Sequence, residues 1–278
     1  VYIFAVNHHP DLGYMVSGGS PVYVGEKADS RIEIFRHVLG SSTARHVRTV
    51  QHPLIVTPND IFATSPSSFY VTNDHYYREG NLRMLEEVYW GAKWTTTVHV
   101  NLPSSEYAEV SVALTGLQNN NGLGHGRKPD EVLIGCAAPG EMHIAQRQKD
   151  KTLRLLETIR VDSTIDNPSY FADPFAASTG DDKSGFVLGG LSRAADLSKT
   201  CKDPNGTDGV MVWYVRPRPG AGGWEKKLLF QDDGTRIRSC STAVLVAIDP
   251  AKEAGKRKAW LYVAGFIAKD VIAVKVDL

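Results

Sequence analysis

The sequence predicts an all-β fold on three observations. Short runs rich in Val, Ile, Tyr and Thr recur from end to end. Turn signals such as PSS, KPD, PNG and DDG separate them. Helical periodicity is scarce. VYIFAV at 1–6 opens the chain as a strand, and SRIEIF at 30–35 follows; Ile32, Ile34 and Phe35 fit a helix poorly and a strand better. IFAT and FYVTND come next, then WTTTVHV and AEVSVAL, all carried by β-branched or aromatic residues. Between them, Asn81 to Trp90 is the best helical pattern, with Leu82, Leu85, Val88 and Tyr89 on one face behind a candidate Asn81 cap. EVLIG, GFVLGG, VMVWYV, KKLLF, TAVLVAI, AWLYVAG and VIAVKV complete the series. GLGHG at 122–126 fits neither a dinucleotide fingerprint nor a P-loop, and reads as a turn. The polar stretches Asp173–Ser184 and Ala194–Gly209 read as insertions on one face, so a single domain over 1–278 is expected.

Lys plus Arg balance Asp plus Glu at 31 each, and no basic stripe points to nucleic acid or to a membrane surface. No apolar run reaches the length of a spanning helix. Cys136, Cys201 and Cys240 have no zinc spacing; Cys201 and Cys240 either pair in an oxidising compartment or stand as unpaired small hydrophobes. The sequon Asn205-Gly206-Thr207 leans toward a secreted glycoprotein. No GxSxG elbow supports a serine hydrolase. Many short strands with Gly/Pro-rich turns leave a sandwich, a barrel or a propeller.

Asn and Asp are poor strand formers, yet they cluster beside strand-like runs. The clusters are VNHHPD at 6–11, Asn59-Asp60, Asn73-Asp74-His75, LQNNNGLG at 117–124 and TIDNPS at 164–169. Such residues cap turns, but they also deliver oxygen on a short stem, as a hard cation such as calcium requires.

VYIFAVNHHPD, HVRTVQHPLIVTPNDIFATSPSSFYVTNDHYY, LTGLQNNNGLG, TIDN and the ending from GTRIRSCSTAVLV onward resemble the serum paraoxonase/arylesterase family. The resemblance implies a six-bladed β-propeller, of which this chain covers four to five blades, with two Ca2+ ions in its channel, one catalytic and one structural. Carried across by position, Asn59, Asn121, Asp166 and Asn167 become ligands of the catalytic calcium, and Asp60 a ligand of the structural one. His8 matches a histidine of the pair that activates water, and Asp74 and His75 match the neighbouring acid and histidine of the family's NDHY segment. Asn119, Asn120 and Thr242 fall on the substrate pocket.

Two family features differ. The aromatic expected just before the NG asparagine is replaced by Asn119-Asn120, and a wall histidine expected near Gly189-Gly190 is absent. The family's first acidic ligands lie upstream of the strand matching VYIFAV, so an N-terminal fragment of the same precursor is expected as partner. The resemblance implies a calcium-dependent hydrolase of lactones or aryl esters in the secretory pathway. The altered wall keeps open a non-hydrolytic isomerase or cyclase on a small molecule, and a non-catalytic binding propeller is the third reading.

Overall fold

The computed structural model describes residues 1–16, 27–218, 220 and 222–278. The described chain is all-β, built from antiparallel sheets in which consecutive strands lie side by side. It divides into two compact units: Val1–Asn120 with Gln148–Leu153, and Asn121–Arg147 with Arg154–Leu278.

The first unit holds β1 (Tyr2–Pro10), β2 (Ala28–His37) and β3 (Ala44–Val50) in one sheet. A second sheet carries β4 (Pro58–Ser65), β5 (Ser68–Asn73), β6 (Thr95–Asn101) and β7 (Glu109–Leu117) in that order. Alternation decides what each strand buries: Ile32 and Ile34 of β2 point inward and meet Phe69, Val71, Val98 and Val100 of the second sheet. Burying such aliphatic and aromatic side chains contributes about 1.5–3 kcal/mol each.

The second unit follows the same plan. Its sheets are β8 (Asn120–His125) to β11 through β9 (Glu131–Cys136), β10 (Glu141–Arg147) and β11 (Leu153–Arg160); then β12 (Ser169–Phe171), β13 (Gly185–Leu191), β14 (Val210–Pro217) and β15 (Trp224–Asp232); and finally β16 (Cys240–Ile248), β17 (Lys258–Gly265) and β18 (Ile272–Asp277). β9 and β13 are buried along their whole length, which is why VLIG, after the buried Glu131, and GFVLGG read as unbroken apolar or small runs.

Two sequence expectations, the GLGHG turn and the Asn81 cap, are corrected, and an open one, the state of the cysteines, is settled. GLGHG is not a turn: Gly122 to His125 lie within β8. Asn81 does not cap its helix, α2 (Asn81–Val88, numbered after the short α1, Leu12–Val16); the cap position is Gly80, without a side-chain bond. The apolar face of α2 is turned outward, with Leu82, Leu85 and Val88 exposed, while Glu86 is buried. That inversion has a cause, because the Glu86 carboxylate accepts hydrogen bonds from the Tyr76 and Tyr77 backbone amides at 2.8 and 3.1 Å. The three cysteines are free, with Cys201 exposed and Cys240 buried, so these two are not bridged.

Candidate active site and oxygen-donor cluster

The two Asn-Asp pairs of the first unit do different work. Asn59-Asp60 sits where β4 slips register against β5, between Pro58 and Ile61, which is a β-bulge. Asn59 is exposed there. Asp60 Oδ1 accepts from the Ile61 amide at 2.7 Å, and its own amide donates to Thr72 Oγ1 at 3.0 Å. Asn73 is instead a buried pin. Its Oδ1 accepts from the amides of Val56 and Thr57, and its Nδ2 donates to Leu54 O and Thr96 Oγ1.

Asp74 and His75 follow directly. His75 Nδ1 lies 3.0 Å from Asp74 Oδ1, and Nε2 lies 3.4 Å from Glu87 Oε1. Burial opposes a charge on this ring, but the two carboxylates outweigh it and the His75 pKa is pushed up to about 9. His75 is therefore an imidazolium at neutral pH and holds Asp74 rather than accepting protons. Burial likewise works against the charge of Asp74, yet His75 and Arg83 keep its carboxyl below the usual range.

His8 stands opposite Ser30 in the β1–β2 ladder, and its Nδ1 lies 2.9 Å from Ser30 Oγ. His8, Ser30 and Asp74 line one cavity of about 300 Å3, with Lys27, Arg78, Glu79 and Arg83 on its wall. Sequence reasoning missed Ser30 and these basic groups. The approach of Ser30 to His8 depends on hairpin register across a long connection, which carries no local signal. Arg78 and Arg83 do follow the NDHYY run within a few residues, and that proximity was the available clue.

Asn119 has a left-handed backbone, φ 51°, a conformation that asparagine tolerates better than an aromatic residue does. Its Nδ2 donates to Asp74 O at 3.4 Å. Asn120 is 1% exposed, with Nδ2 donating to Thr97 Oγ1 at 2.6 Å.

In the second unit, Gly122, which follows Asn121, lies against Asp166-Asn167, and Asn167 in turn pairs with Thr242. The backbone of Gly122 lies so close that a Cβ there would stand 2.4 Å from Asn167 Oδ1 and 2.6 Å from Asp166 O. The Asp166 amide donates to Gly189 O, and the Asn167 amide to Ser241 O. Asn167 also forms an isolated parallel bridge with Thr242. Its Nδ2 donates to Ser241 O at 3.0 Å, which fixes the side chain and leaves Oδ1 toward Gly122. Burial of Cys240, with the negative Asp166 carboxylate adding to it, raises that thiol to about 12. Gly190 explains the missing wall histidine: a Cβ there would stand 2.0 Å from Thr164 O.

Oxygen donors of the kind a hard cation takes lie along this segment: Asn167 Oδ1 and the Asp166 carbonyl face Gly122, and Oδ1 of the adjoining Asn121 is buried. Among the described residues, no group of three or more His, Cys, Asp or Glu forms a metal site.

The chain belongs to the arylesterase family, whose model matches residues 19–181, more than half of its length. Serum paraoxonase/arylesterase 2 of Bos taurus is 29% identical over 61% of this chain and 41% of its own. The Gallus gallus protein of the same name is 28% identical over 68% of this chain and 47% of its own. The chain thus spans less than half the length of these relatives. A periplasmic gluconolactonase of Pseudomonas aeruginosa aligns over 100% of this chain and 82% of its own at 10% identity, with a TM-score of 0.39, a likeness too loose to build on.

Proposed function

We propose that this chain is part of a calcium-dependent hydrolase acting on lactones or aryl esters. The observation that carries the reading is the close approach of Gly122, next to Asn121, to Asp166-Asn167, which brings the Asn167 amide oxygen and the Asp166 carbonyl oxygen to this strand in a member of the arylesterase family. By the family pattern, Asn121, Asp166 and Asn167 of the second unit would hold a catalytic calcium, and Asn59 and Asp60 of the first unit would each serve as calcium ligands. A bound calcium supplies positive charge that favours the oxyanion of an attacked ester carbonyl.

The chain's own residues do the proton work. Ser30 orients His8 through Nδ1; with the proton on Nδ1, Nε2 is the basic nitrogen and takes a proton from the attacking water. Water adds to the acyl carbon, the bond to the alkoxy oxygen breaks, and that oxygen receives the proton, giving a carboxylic acid and an alcohol or phenol. Asp74, held by cationic His75, keeps a fixed negative charge in the same cavity. It stabilises the His8 imidazolium formed on the way. In the first unit, Asn119 stands where the family pattern has an aromatic wall, and its smaller side chain leaves room there; in the second, Thr242 is the family pattern's pocket residue. Exposed Asn205 and Thr207 suit glycan attachment on a secretory route; among the described residues no helix is long and apolar enough to cross a membrane.

The test uses full-length protein. EGTA is expected to abolish hydrolysis of a γ-lactone and of phenyl acetate, and added calcium to restore both. Asp166→Asn is expected to weaken calcium binding about tenfold or more by calorimetry, a readout independent of turnover. Turnover indifferent to chelator, with calcium binding unchanged in Asp166→Asn, would overturn the reading.

A further inference from the structure

Helix α2 sets a charged face, not an apolar one, against the segment that follows β5. Arg83, Glu86 and Glu87 stand at the i, i+3 and i+4 spacing that brings side chains to one side of a helix. Arg83 lies 3.9 Å from Asp74 Oδ2, and Glu87 Oε1 lies 3.4 Å from His75 Nε2. Glu86, between them, is 1% exposed. Its Oε1 accepts from the Tyr76 amide at 2.8 Å, and its Oε2 from the Tyr77 amide at 3.1 Å.

β5 ends at Asn73, so residues 74–77 have no strand ladder to hold them. Their amides are held in two pairs instead. Asp74 donates to Thr57 O and His75 to Thr57 Oγ1, each at 3.1 Å. Tyr76 and Tyr77 donate to Glu86. The Asp74 carboxylate therefore hangs from a backbone clamped by Thr57 on one side and by Glu86 on the other, and it lines the His8 cavity. A carboxylate is a demanding group to bury, and a well-packed apolar residue would anchor the helix without its desolvation penalty. What Glu86 supplies, and an apolar residue cannot, is a fixed position for two amides.

We propose that Glu86 is a positioning residue for the His8 cavity: its grip on the Tyr76 and Tyr77 amides sets where the Asp74 carboxylate stands, and through Asp74 it sets the rate of proton transfer at His8. The inference rests on the hydrolase reading for its reaction, while the grip itself rests on the hydrogen bonds of the fold. Charge develops on His8 only as the attacking water gives up its proton, so a displaced Asp74 lowers kcat and leaves KM in place. A misplacement of about 1 Å in such a site can cost on the order of a hundredfold in rate.

A double-substitution cycle on full-length protein, with phenyl acetate as substrate, tests this. Glu86→Gln keeps the side chain's shape but turns an NH2 group toward one of the two backbone donors. It is expected to lower kcat by about tenfold or more, with KM held within about twofold. On an Asp74→Asn background the same substitution is expected to change kcat by less than about twofold, because the charge it acts through is already gone. A residue that only supports the fold lowers Tm and gives the same factor in both backgrounds, which overturns the proposal. The ring resonances of His8 read the coupling without turnover: Glu86→Gln is expected to move them in the wild type and not in Asp74→Asn. Should Glu86→Gln fail to fold, Glu86→Asp, which draws the carboxylate back by one methylene, enters the same cycle. Moved His8 resonances with neither ester nor lactone turned over keep the positioning of Asp74 and overturn the hydrolase reading. Calcium-dependent turnover with equal losses in both backgrounds does the reverse.

Discussion

His75 offers a measurement whose sign and size follow from its surroundings. The ring is buried between Asp74 and Glu87 with its pKa raised from 6.5 to about 9. An unfolded chain returns it to about 6.5. A raised folded pKa means the native state binds the proton more tightly, so the stabilisation is fully present below pH 6.5 and declines as pH rises through 9. Asp74 and Glu87 both have depressed pKa values and stay ionised throughout this window. At about 1.4 kcal/mol per unit, the shift amounts to at most about 3 kcal/mol. The perturbation is His75→Gln, similar in length and without a titratable proton. Urea denaturation of wild type and variant at pH 6, 7.5 and 9.5 reads the difference directly. The gap is expected to be widest at pH 6 and to narrow by roughly 2–3 kcal/mol at pH 9.5. A gap that stays constant, or grows with pH, would refute a cationic His75.

Two other perturbations test the parts around it. Asn73→Ala removes a buried side chain with four hydrogen-bond partners and strands the amides of Val56 and Thr57, so a loss of about 3 kcal/mol or more in urea denaturation is expected. Cys201 is exposed whereas Cys136 and Cys240 are buried, and burial raises both of their thiol pKa values. A thiol reagent is therefore expected to label one cysteine of the native chain by mass spectrometry, and the other two only after denaturant is added.

Legibility in the sequence tracked burial. Strands covered on both faces, such as those of VLIG and GFVLGG, announced themselves through unbroken apolar or small residues. β3 and β11 did not, because ARHVRTV and LRLLETIR lie at sheet edges with most residues exposed, where charge replaces alternation. α2 showed its helical period correctly and its orientation wrongly. Periodicity identifies an apolar face but not the side that packs, and here two backbone amides won Glu86 for the interior. Of the Asx clusters, the sequence showed the segments but not their distance in space, and the approach of Gly122 to Asp166-Asn167 in the second unit appears only in the fold. The same clusters hid different jobs: Asn59-Asp60 accommodates a bulge, whereas Asn73 satisfies loop amides. Nothing in residue type distinguishes those uses. The basic wall was readable only in part: Arg78 and Arg83 lie within a few residues of the NDHYY run, whereas Lys27 comes from a distant stretch that only tertiary structure brings to the same cavity.

The bare edge of β8 sets a limit on how this protein can vary. At Gly122 and Gly124, even a methyl group would land 2.4 Å from Asn167 Oδ1 or 2.3 Å from Pro168 O. Sequence drift can resize a pocket through its side chains, but it cannot widen the spacing between these two backbones without moving the strand itself. Alanine, usually the mildest replacement, is therefore among the harshest here. The separation between Asn121 and Asn167 is in effect gauged by main chain, a standard that new substrate preferences acquired elsewhere in the molecule would leave untouched.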